Sequence, residues 1–399
     1  MGSVAQNELT SRLHTLQQHL KAQEIDLAVL NVNSDLYYYS GSVEPLYLIV
    51  PADGQPLLMA RKAIQRIRDE VSHIKLEPFV GTKDLVRITT EYGYSGARKI
   101  GMTLDATAYA TVQRWRQLFN EAELVDLSWD IRVLRMVKSE AEISIQAKAG
   151  AIMAGVPDLV KTSFKPGMTE LQLSAILENY FRLRHHGVVV RCRREEIQMG
   201  FGVCSSGVNT LAGAKFDGIC AGVGISTAAP YGANEDLIQR GVPILLDYAF
   251  NLEGYHMDQT RMFSWGEPVP EVRRAYEAML QVEEQIMALL KPGRLWTEIY
   301  DEALKLAVEL GYEKEFMGLG TEKVRFVGHG IGLELDEPPF LAPKNDYPLK
   351  AGMVIAVEPK VALPEIGVVG IEDTLVVRDG QPELLTTASR EFLILDHPA

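Results

Sequence analysis

The chain has 399 residues, 47% of them hydrophobic, and carries a formal net charge of −13 at neutral pH. This length exceeds the size at which a single hydrophobic core stops growing, so two domains are expected. The acidic balance argues against a nucleic-acid partner, because such a partner requires a basic face.

Cysteine content and hydropathy bear on the compartment. Cys192, Cys204 and Cys220 include no CxxC pair and cannot form a full set of disulfides, which favours free thiols in a reducing environment. The first 14 residues lack the apolar core of a signal peptide. No stretch approaches the ~20 apolar residues that span a bilayer. We therefore expect a cytoplasmic protein without a membrane partner.

The first part of the chain alternates between helical and strand-like patterns. Leucines recur at helical spacing over 9–20, and an apolar run over 25–30 is typical of a buried strand. A helix is predicted near 61–71, and further strands at 46–50, 55–60 and 98–102. Residues 1–135 are therefore predicted to form a compact α/β domain. It has no clustered acidic pairs in apolar runs, so we assign it no chemistry of its own.

Residues 136–399 are predicted to form the second domain. Ser139 is a candidate N-cap for its first helix, and Glu142 stands where a capping box places a glutamate. Each of two later helix pairs is joined by a Lys-Pro-Gly segment, at 165–167 and at 291–293, with Thr169 and Thr297 as candidate caps. The repetition favours an internal two-fold duplication with a site between the halves. The alternative is coincidence, because such turns are common.

Two aspartates stand in apolar, strand-like runs. Asp247 and Asp258 flank Asn251-Leu252-Glu253-Gly254, a candidate four-residue hairpin loop. Pairing Phe250 with Tyr255 would place the two aspartates directly opposite each other, with Cβ atoms roughly 5 Å apart. Carboxylates so close repel each other unless a proton or a cation intervenes. The pair indicates a metal site; the alternative is one buried Asp held by backbone amides and one at a strand edge.

Three further candidate ligands follow downstream. His329 lies between two glycines, and Glu358 and Glu372 each follow an apolar, strand-like run. Each alone has an ordinary explanation, such as a satisfied core histidine. Together with the two aspartates they supply four carboxylates and one imidazole. This donor set suits a pair of Mn, Co, Fe or Zn ions.

These residues carry a resemblance to a known family. Their order and the strings LLDYAFNLEGYHMDQTR, VGHGIGL, AVEPK and GIEDT resemble the pita-bread metallopeptidases, which include prolidase, aminopeptidase P and methionine aminopeptidase, together with the metal-free creatinase. Residues 1–135 resemble the creatinase-type N-terminal domain. The resemblance implies an α/β (α+β) protein with an internally duplicated pita-bread catalytic domain over 136–399. It also implies a homodimer and two divalent ions, with Mn favoured.

The resemblance also implies a role for each ligand. Asp247 and Asp258 would bridge or chelate the ions, His329 would bind one of them, and Glu358 and Glu372 would complete the set. A water held between two cations has a lowered pKa and becomes a nucleophile near neutral pH. Glu358 would accept the proton of that water.

The substrate side of the resemblance departs from the common pattern at three positions. Prolidase-like members usually have a histidine where this chain has Tyr231, and a second one where it has Asp336. Aminopeptidase P often has a histidine at the position of Arg325. The resemblance assigns these positions to substrate contact, and their altered charge changes the capacity for proton transfer.

The chain is thus expected to be a metal-dependent hydrolase that cleaves an amide bond in a substrate unlike a simple Xaa-Pro dipeptide. One rival is a non-peptidase of the same fold, either a creatinase-like C–N hydrolase or a lyase acting on a small molecule. The other is a non-catalytic binding protein, which retention of all five ligands disfavours.

Overall fold

The computed structural model describes residues 5–193 and 200–396. The chain divides into two compact units, Met1–Arg135 and Met136–Ala399. None of the described helices combines the length and the hydropathy that crossing a bilayer takes.

The first unit is built on a six-stranded mixed sheet in the order β4-β3-β2-β1-β5-β6. Strands β1–β2 and β2–β3 pair antiparallel, and the other neighbours pair parallel. Its described elements are α1 (Gln6–Ala22), β1 (Leu27–Leu30), α2 (Asn33–Ser40), β2 (Tyr47–Pro51), β3 (Leu57–Ala60), α3 (Ile64–Glu70), β4 (Lys75–Pro78), α4 (Thr82–Glu91), β5 (Lys99–Met102), α5 (Tyr109–Leu118), β6 (Glu123–Asp126) and α6 (Ser128–Met136). The predicted strands and helices therefore form, with ends displaced by a few residues.

The second unit contains a five-stranded sheet, a four-stranded sheet and a two-stranded ribbon. Their strand orders are β11-β10-β12-β15-β16, β17-β9-β8-β7 and β13-β14. The described elements are α7 (Glu140–Met153), α8 (Val156–Ser163), α9 (Glu170–Arg182), β7 (Gly202–Ser206), β8 (Pro243–Leu252), β9 (Tyr255–Trp265), α10 (Pro270–Leu289), α11 (Trp296–Glu309), β10 (Gly328–Gly330), β11 (Glu337–Phe340), β12 (Val354–Val357), β13 (Lys360–Leu363), β14 (Gly367–Gly370), β15 (Asp373–Val376), β16 (Glu383–Leu384) and β17 (Leu393–Leu395).

Side-chain caps mark where two helices of this unit, α7 and α9, begin. The capping box at α7 forms as predicted, because Ser139 Oγ accepts from the Glu142 amide while the Glu142 carboxylate accepts from the Ser139 amide. Thr169 caps α9 in the same manner. The prediction that Thr297 caps α11 is wrong. The N-cap is Leu295, and the Thr297 hydroxyl instead donates to Asp346 Oδ1 at 2.6 Å.

The two Lys-Pro-Gly turns are equivalent in geometry. Gly167 and Gly293 have φ angles of 88° and 87°, which glycine adopts without steric cost. The residue after each glycine accepts a backbone hydrogen bond through its carbonyl, Met168 from Ile238 and Arg294 from Leu349. The same local fold therefore recurs in the two halves, as the predicted duplication requires.

The hairpin formed by β8 and β9 closes more tightly than predicted. Leu252 pairs with Tyr255, so the turn has two residues, Glu253 and Gly254, with φ angles of 52° and 91°. Two positive φ angles match the two-residue turns that suit the twist of hairpins. The predicted four-residue loop is wrong, and the register moves by two residues.

Gly254→Ala is expected to lower the free energy of unfolding by about 1 kcal/mol or more, because an L-residue in the left-handed region is strained. Urea unfolding measures the change. Gly380→Ala is the matched control, since Gly380 has nothing within 4 Å of an added Cβ and no positive φ. An equal loss in both variants would show that turn conformation is not responsible.

His256 is a buried neutral histidine of β9. Its Nδ1–H donates to the Gly332 carbonyl at 2.9 Å. Its Nε2 accepts from the backbone amide of Arg191 at 3.0 Å and lies 3.2 Å from the side-chain nitrogen Nδ2 of Asn251. Burial lowers its pKa to about 4. The neutral ring ties β9 to two loops.

Because the unfolded histidine has a pKa near 6.5, the unfolded chain binds the extra proton first as the pH falls. His256 should therefore cost the fold about 2 kcal/mol between pH 7.5 and pH 5. The measurement is urea unfolding across this range for wild type and His256→Gln. The variant should show the shallower pH dependence, and parallel profiles would contradict the assignment.

Candidate metal centre

The five predicted ligands come from neighbouring strands of the second unit. Asp247 lies on β8, Asp258 on β9 and His329 on β10, while Glu358 directly follows β12 and Glu372 directly precedes β15. Asp258, His329, Glu358 and Glu372 are all buried, whereas Asp247 is partly exposed. Burial of four ionisable groups in one region is costly unless charges compensate each other.

Strand pairing brings these positions together. His329 pairs with Ala356 of β12, and Val357 of β12 pairs with Asp373 of β15. A single bridge between Thr260 of β9 and Glu372 then connects the two larger sheets. The site therefore forms where both sheets meet.

The prediction that Asp247 stands directly opposite Asp258 is wrong. Asp247 pairs with Thr260, and Asp258 pairs with Ala249. The error in register is even, so side-chain alternation keeps both aspartates on one face of the hairpin, as diagonal neighbours. The two aspartates therefore lie on the same face, as predicted, but they are not directly opposite each other.

Three of the five residues form a compact donor set. One ligand atom each from Asp258, His329 and Glu372 lies within 4.8 Å of the others, in a search restricted to the described residues. His329 Nδ1 is 3.1 Å from the Gly330 carbonyl. That contact places the proton on Nδ1 and leaves Nε2 available to bind a metal ion, an orientation common among metal-binding histidines. Two carboxylates and an oriented imidazole thus fit one divalent ion.

The other two carboxylates, Asp247 and Glu358, lie with Glu372 around Lys360, a residue to which the sequence analysis gave no role. Its Nζ lies 2.6 Å from Glu358 Oε2, 3.0 Å from Glu372 Oε2 and 3.3 Å from Asp247 Oδ2. Its side chain is fully buried. A lysine that opens an apolar strand-like run two residues after a ligand was the signal available in the sequence, since residues two apart share a face.

The electrostatics of the cluster show an excess of negative charge. Burial, followed by the neighbouring carboxylates, raises the pKa of Asp258 well above its usual value. Burial also raises the pKa of Glu372, against the opposing effect of Lys360. Burial lowers the pKa of Lys360, but Asp247, Glu358 and Glu372 outweigh it and hold that pKa well above normal. For His329, Glu358 and Asp336 likewise outweigh burial and raise the pKa.

Polar contacts outside the ligand set orient it. The Thr260 hydroxyl donates to Glu372 Oε2 at 2.8 Å, and the Thr374 hydroxyl donates to the Asp258 carbonyl at 2.8 Å. The buried guanidinium of Arg261 donates to the Glu372 carbonyl at 2.8 Å and to Asp373 Oδ1 at 2.6 Å. Because both sides of β9 are tied to the segment 372–374, the carboxylates are held in place before any cation arrives.

The three predicted substrate residues stand in different settings. Tyr231 is partly buried and packs edge-to-face on Phe216, with ring centroids 5.0 Å apart. Asp336 is exposed, and its charge acts on His329. Arg325 is exposed. Burial raises the pKa of Tyr300, and the charge of Arg325 opposes that rise.

Comparison with known proteins bears on both units. Residues 12–137 match the Creatinase/Prolidase N-terminal domain, and residues 145–379 match metallopeptidase family M24. An Xaa-Pro dipeptidase of Pyrococcus furiosus is 26% identical over 396 residues, covering 96% of this chain and all of the relative. An uncharacterized peptidase of Bacillus subtilis is 26% identical over 374 residues, covering 93% of this chain and 96% of the relative.

Solved structures show the same fold. The prolidase of Pyrococcus horikoshii superposes with a TM-score of 0.80 at 24% identity, covering 96% of this chain and 99% of the other. An X-Pro aminopeptidase of Thermotoga maritima gives a TM-score of 0.75 at 23% identity, covering 93% and 98%. The family match spans most of the second unit and includes all five candidate ligands. The chain belongs to metallopeptidase family M24.

Proposed function

We propose that this chain is a metal-dependent hydrolase that cleaves an amide bond in a small peptide substrate. The observation that supports it best is the compact donor set of Asp258, His329 and Glu372, with His329 already oriented by its Nδ1 contact. A divalent ion bound there lowers the pKa of a water molecule and polarises a carbonyl group. The ion is proposed to be Mn²⁺, on the family resemblance.

Glu358 is the proposed proton acceptor. Its Oε2 holds the Lys360 ammonium, while its Oε1 lies 3.5 Å from His329 Nε2. The ammonium fixes the rotamer of the carboxylate and leaves Oε1 facing the donor set. A general base must be within hydrogen-bond reach of the proton it removes, and Oε1 is the Glu358 atom placed for that role.

Asp336, Tyr231 and Arg325 are proposed to contact the substrate. An exposed carboxylate at Asp336 attracts an ammonium group and repels a carboxylate, so we propose a substrate with a positive charge near the scissile bond. The Pyrococcus furiosus relative is named as an Xaa-Pro dipeptidase and the Thermotoga maritima protein as an X-Pro aminopeptidase. This chain is proposed to prefer peptides other than simple Xaa-Pro dipeptides. We further propose a homodimer, on the family resemblance. A reducing, cytoplasmic setting is proposed because Cys192, Cys204 and Cys220 form no disulfide.

The experiment is an activity screen of the purified chain reconstituted with Mn²⁺ or Co²⁺. Xaa-Pro dipeptides, longer peptides with an N-terminal Xaa-Pro, and small amidines form the panel, with Asp336→His run beside wild type. Peptide hydrolysis that depends on added metal supports the proposal, and a gain of Xaa-Pro dipeptidase activity in Asp336→His supports the role of Asp336. Turnover of an amidine with no turnover of any peptide would refute peptide hydrolysis.

A same-fold hydrolase of a small C–N compound is the second candidate. The observation that favours it is Lys360, because an ammonium among the carboxylates departs from a site made for two metal ions. The same panel separates the two candidates.

A further inference from the structure

We propose that the Lys360 ammonium replaces one of two divalent ions, so that this chain binds a single metal ion at Asp258, His329 and Glu372. The five-residue set supplies donors for two cations. Three of its residues enclose one position. The other position, between Asp247, Glu358 and Glu372, holds Lys360 Nζ at 2.6–3.3 Å from three carboxylate oxygens.

The backbone builds this position for the lysine. Lys360 opens β13 and pairs with Gly370 of β14. A Cβ on Gly370 would lie 2.5 Å from Lys360 Cγ, so the lysine stem occupies the space that a side chain there would take. The Lys360 carbonyl also accepts from the Met317 amide at 2.9 Å. Backbone pairing and close packing thus direct the Lys360 side chain inward, whereas the side chains of the exposed lysines of this unit face solvent.

The chemistry of the position matches an ammonium. Lysine offers three N–H donors and no acceptor, and Nζ here faces three carboxylate oxygens. Each of these oxygens would otherwise be a metal ligand, at roughly 2.0–2.2 Å from an ion such as zinc. A second divalent ion bound to the same oxygens would stand beside the ammonium, and like charges so close repel each other.

The two oxygens of Glu372 can each serve a different cation, the Lys360 ammonium and one divalent ion. Its Oε2 accepts from both Lys360 and Thr260, which leaves Oε1 for the ion. In two-metal hydrolases, carboxylates bridge ions roughly 3.5–4 Å apart. In this chain Glu372 would bridge an ion and an ammonium. The inference deepens the proposed function, on which it rests for the presence of a metal ion.

Metal counting tests the inference without reference to activity. The chelator-stripped full chain is dialysed against Mn²⁺ or Co²⁺, and bound metal per chain is measured by elemental analysis. Wild type is expected to bind one equivalent. Two equivalents would overturn the role of Lys360 and leave the proposed hydrolase intact, whereas none would refute both.

Lys360→Met removes the charge and keeps an apolar stem of similar length. This variant is expected to bind two equivalents, and its melting temperature is expected to rise with the second. One equivalent in a folded Lys360→Met would overturn the inference. Lys350→Met is the matched control, because Lys350 is exposed in the same unit, and it should stay at one equivalent.

If Lys360→Met does not fold, electron paramagnetic resonance of Mn²⁺-loaded wild type distinguishes one bound ion from two. An isolated Mn²⁺ ion gives a six-line signal that does not change as more metal is offered, which supports one site. The signal of an exchange-coupled pair would overturn the inference.

Discussion

Replacing Glu372 by Gln is expected to weaken divalent-metal binding at least about 100-fold and to abolish metal-dependent hydrolysis. Loss of an outer partner of a ligand already costs roughly 10- to 100-fold in metal affinity, and Glu372 belongs to the three-residue donor set itself. The substitution also replaces a charged acceptor of Lys360 and Thr260 by an amide. Equilibrium dialysis with elemental analysis measures the affinity, and turnover of the best substrate measures the activity.

Glu365→Gln is the control for this experiment. Glu365 is an exposed glutamate seven residues away, so the same change of charge there should leave both measurements unaltered. Unchanged metal affinity in Glu372→Gln, with the fold intact by circular dichroism, would show that the ion lies elsewhere.

The strands of the site could be predicted from sequence because apolar runs interrupted by single acids are conspicuous. The register of β8 and β9 could not. The register depends on Glu253, which takes a positive φ of 52° although it is not a glycine. Residues other than glycine are uncommon in that region. Because Glu253 joins Gly254 in the left-handed region, the strands stay paired up to Leu252 and Tyr255, and the turn is two residues shorter than predicted. The alternation of side chains still predicted the correct face for Asp247 and Asp258.

Lys360 was missed for a different reason. The sequence places it beside Glu358, and lysines next to glutamates are usually solvated surface pairs. Its burial depends on tertiary packing, above all on the absence of a side chain at Gly370. No spacing rule connects positions 360 and 370 until β13 and β14 are paired.

Arg261→Met is expected to lower the free energy of unfolding by about 3–5 kcal/mol, because it removes a buried guanidinium and leaves the buried Asp373 carboxylate with only Arg390 as a cationic partner, at 3.3 Å. The Arg261 side chain is 1% exposed, and its Nη2 lies 2.6 Å from Asp373 Oδ1. The guanidinium also donates to four backbone carbonyls, those of Thr260, Glu372, Ala388 and Ser389. Urea unfolding of wild type and variant, both without metal, measures the loss.

Arg294→Met is the matched control. Arg294 pairs with Glu298 at 3.3 Å, but both side chains are more than two-fifths exposed, and such surface pairs contribute about 0–1 kcal/mol. Arg261→Lys should recover little of the lost stability, since an ammonium cannot reproduce the planar fork of the guanidinium. A loss below about 1 kcal/mol in Arg261→Met would contradict the buried-pair account.

A double variant separates the charge from the packing. If the cost of Arg261→Met comes mainly from the charge of Asp373, which then keeps only Arg390 as a partner, adding Asp373→Asn should restore part of the stability, because the buried group becomes neutral. Thr386 donates to Asp373 Oδ1 at 2.6 Å and can still donate to an amide oxygen. If instead the unpaired carbonyls dominate, the two losses will add. Because the Arg261 guanidinium also holds the Glu372 carbonyl, Arg261→Met is expected to weaken metal binding as well. In the first outcome the double variant should regain stability but not metal affinity.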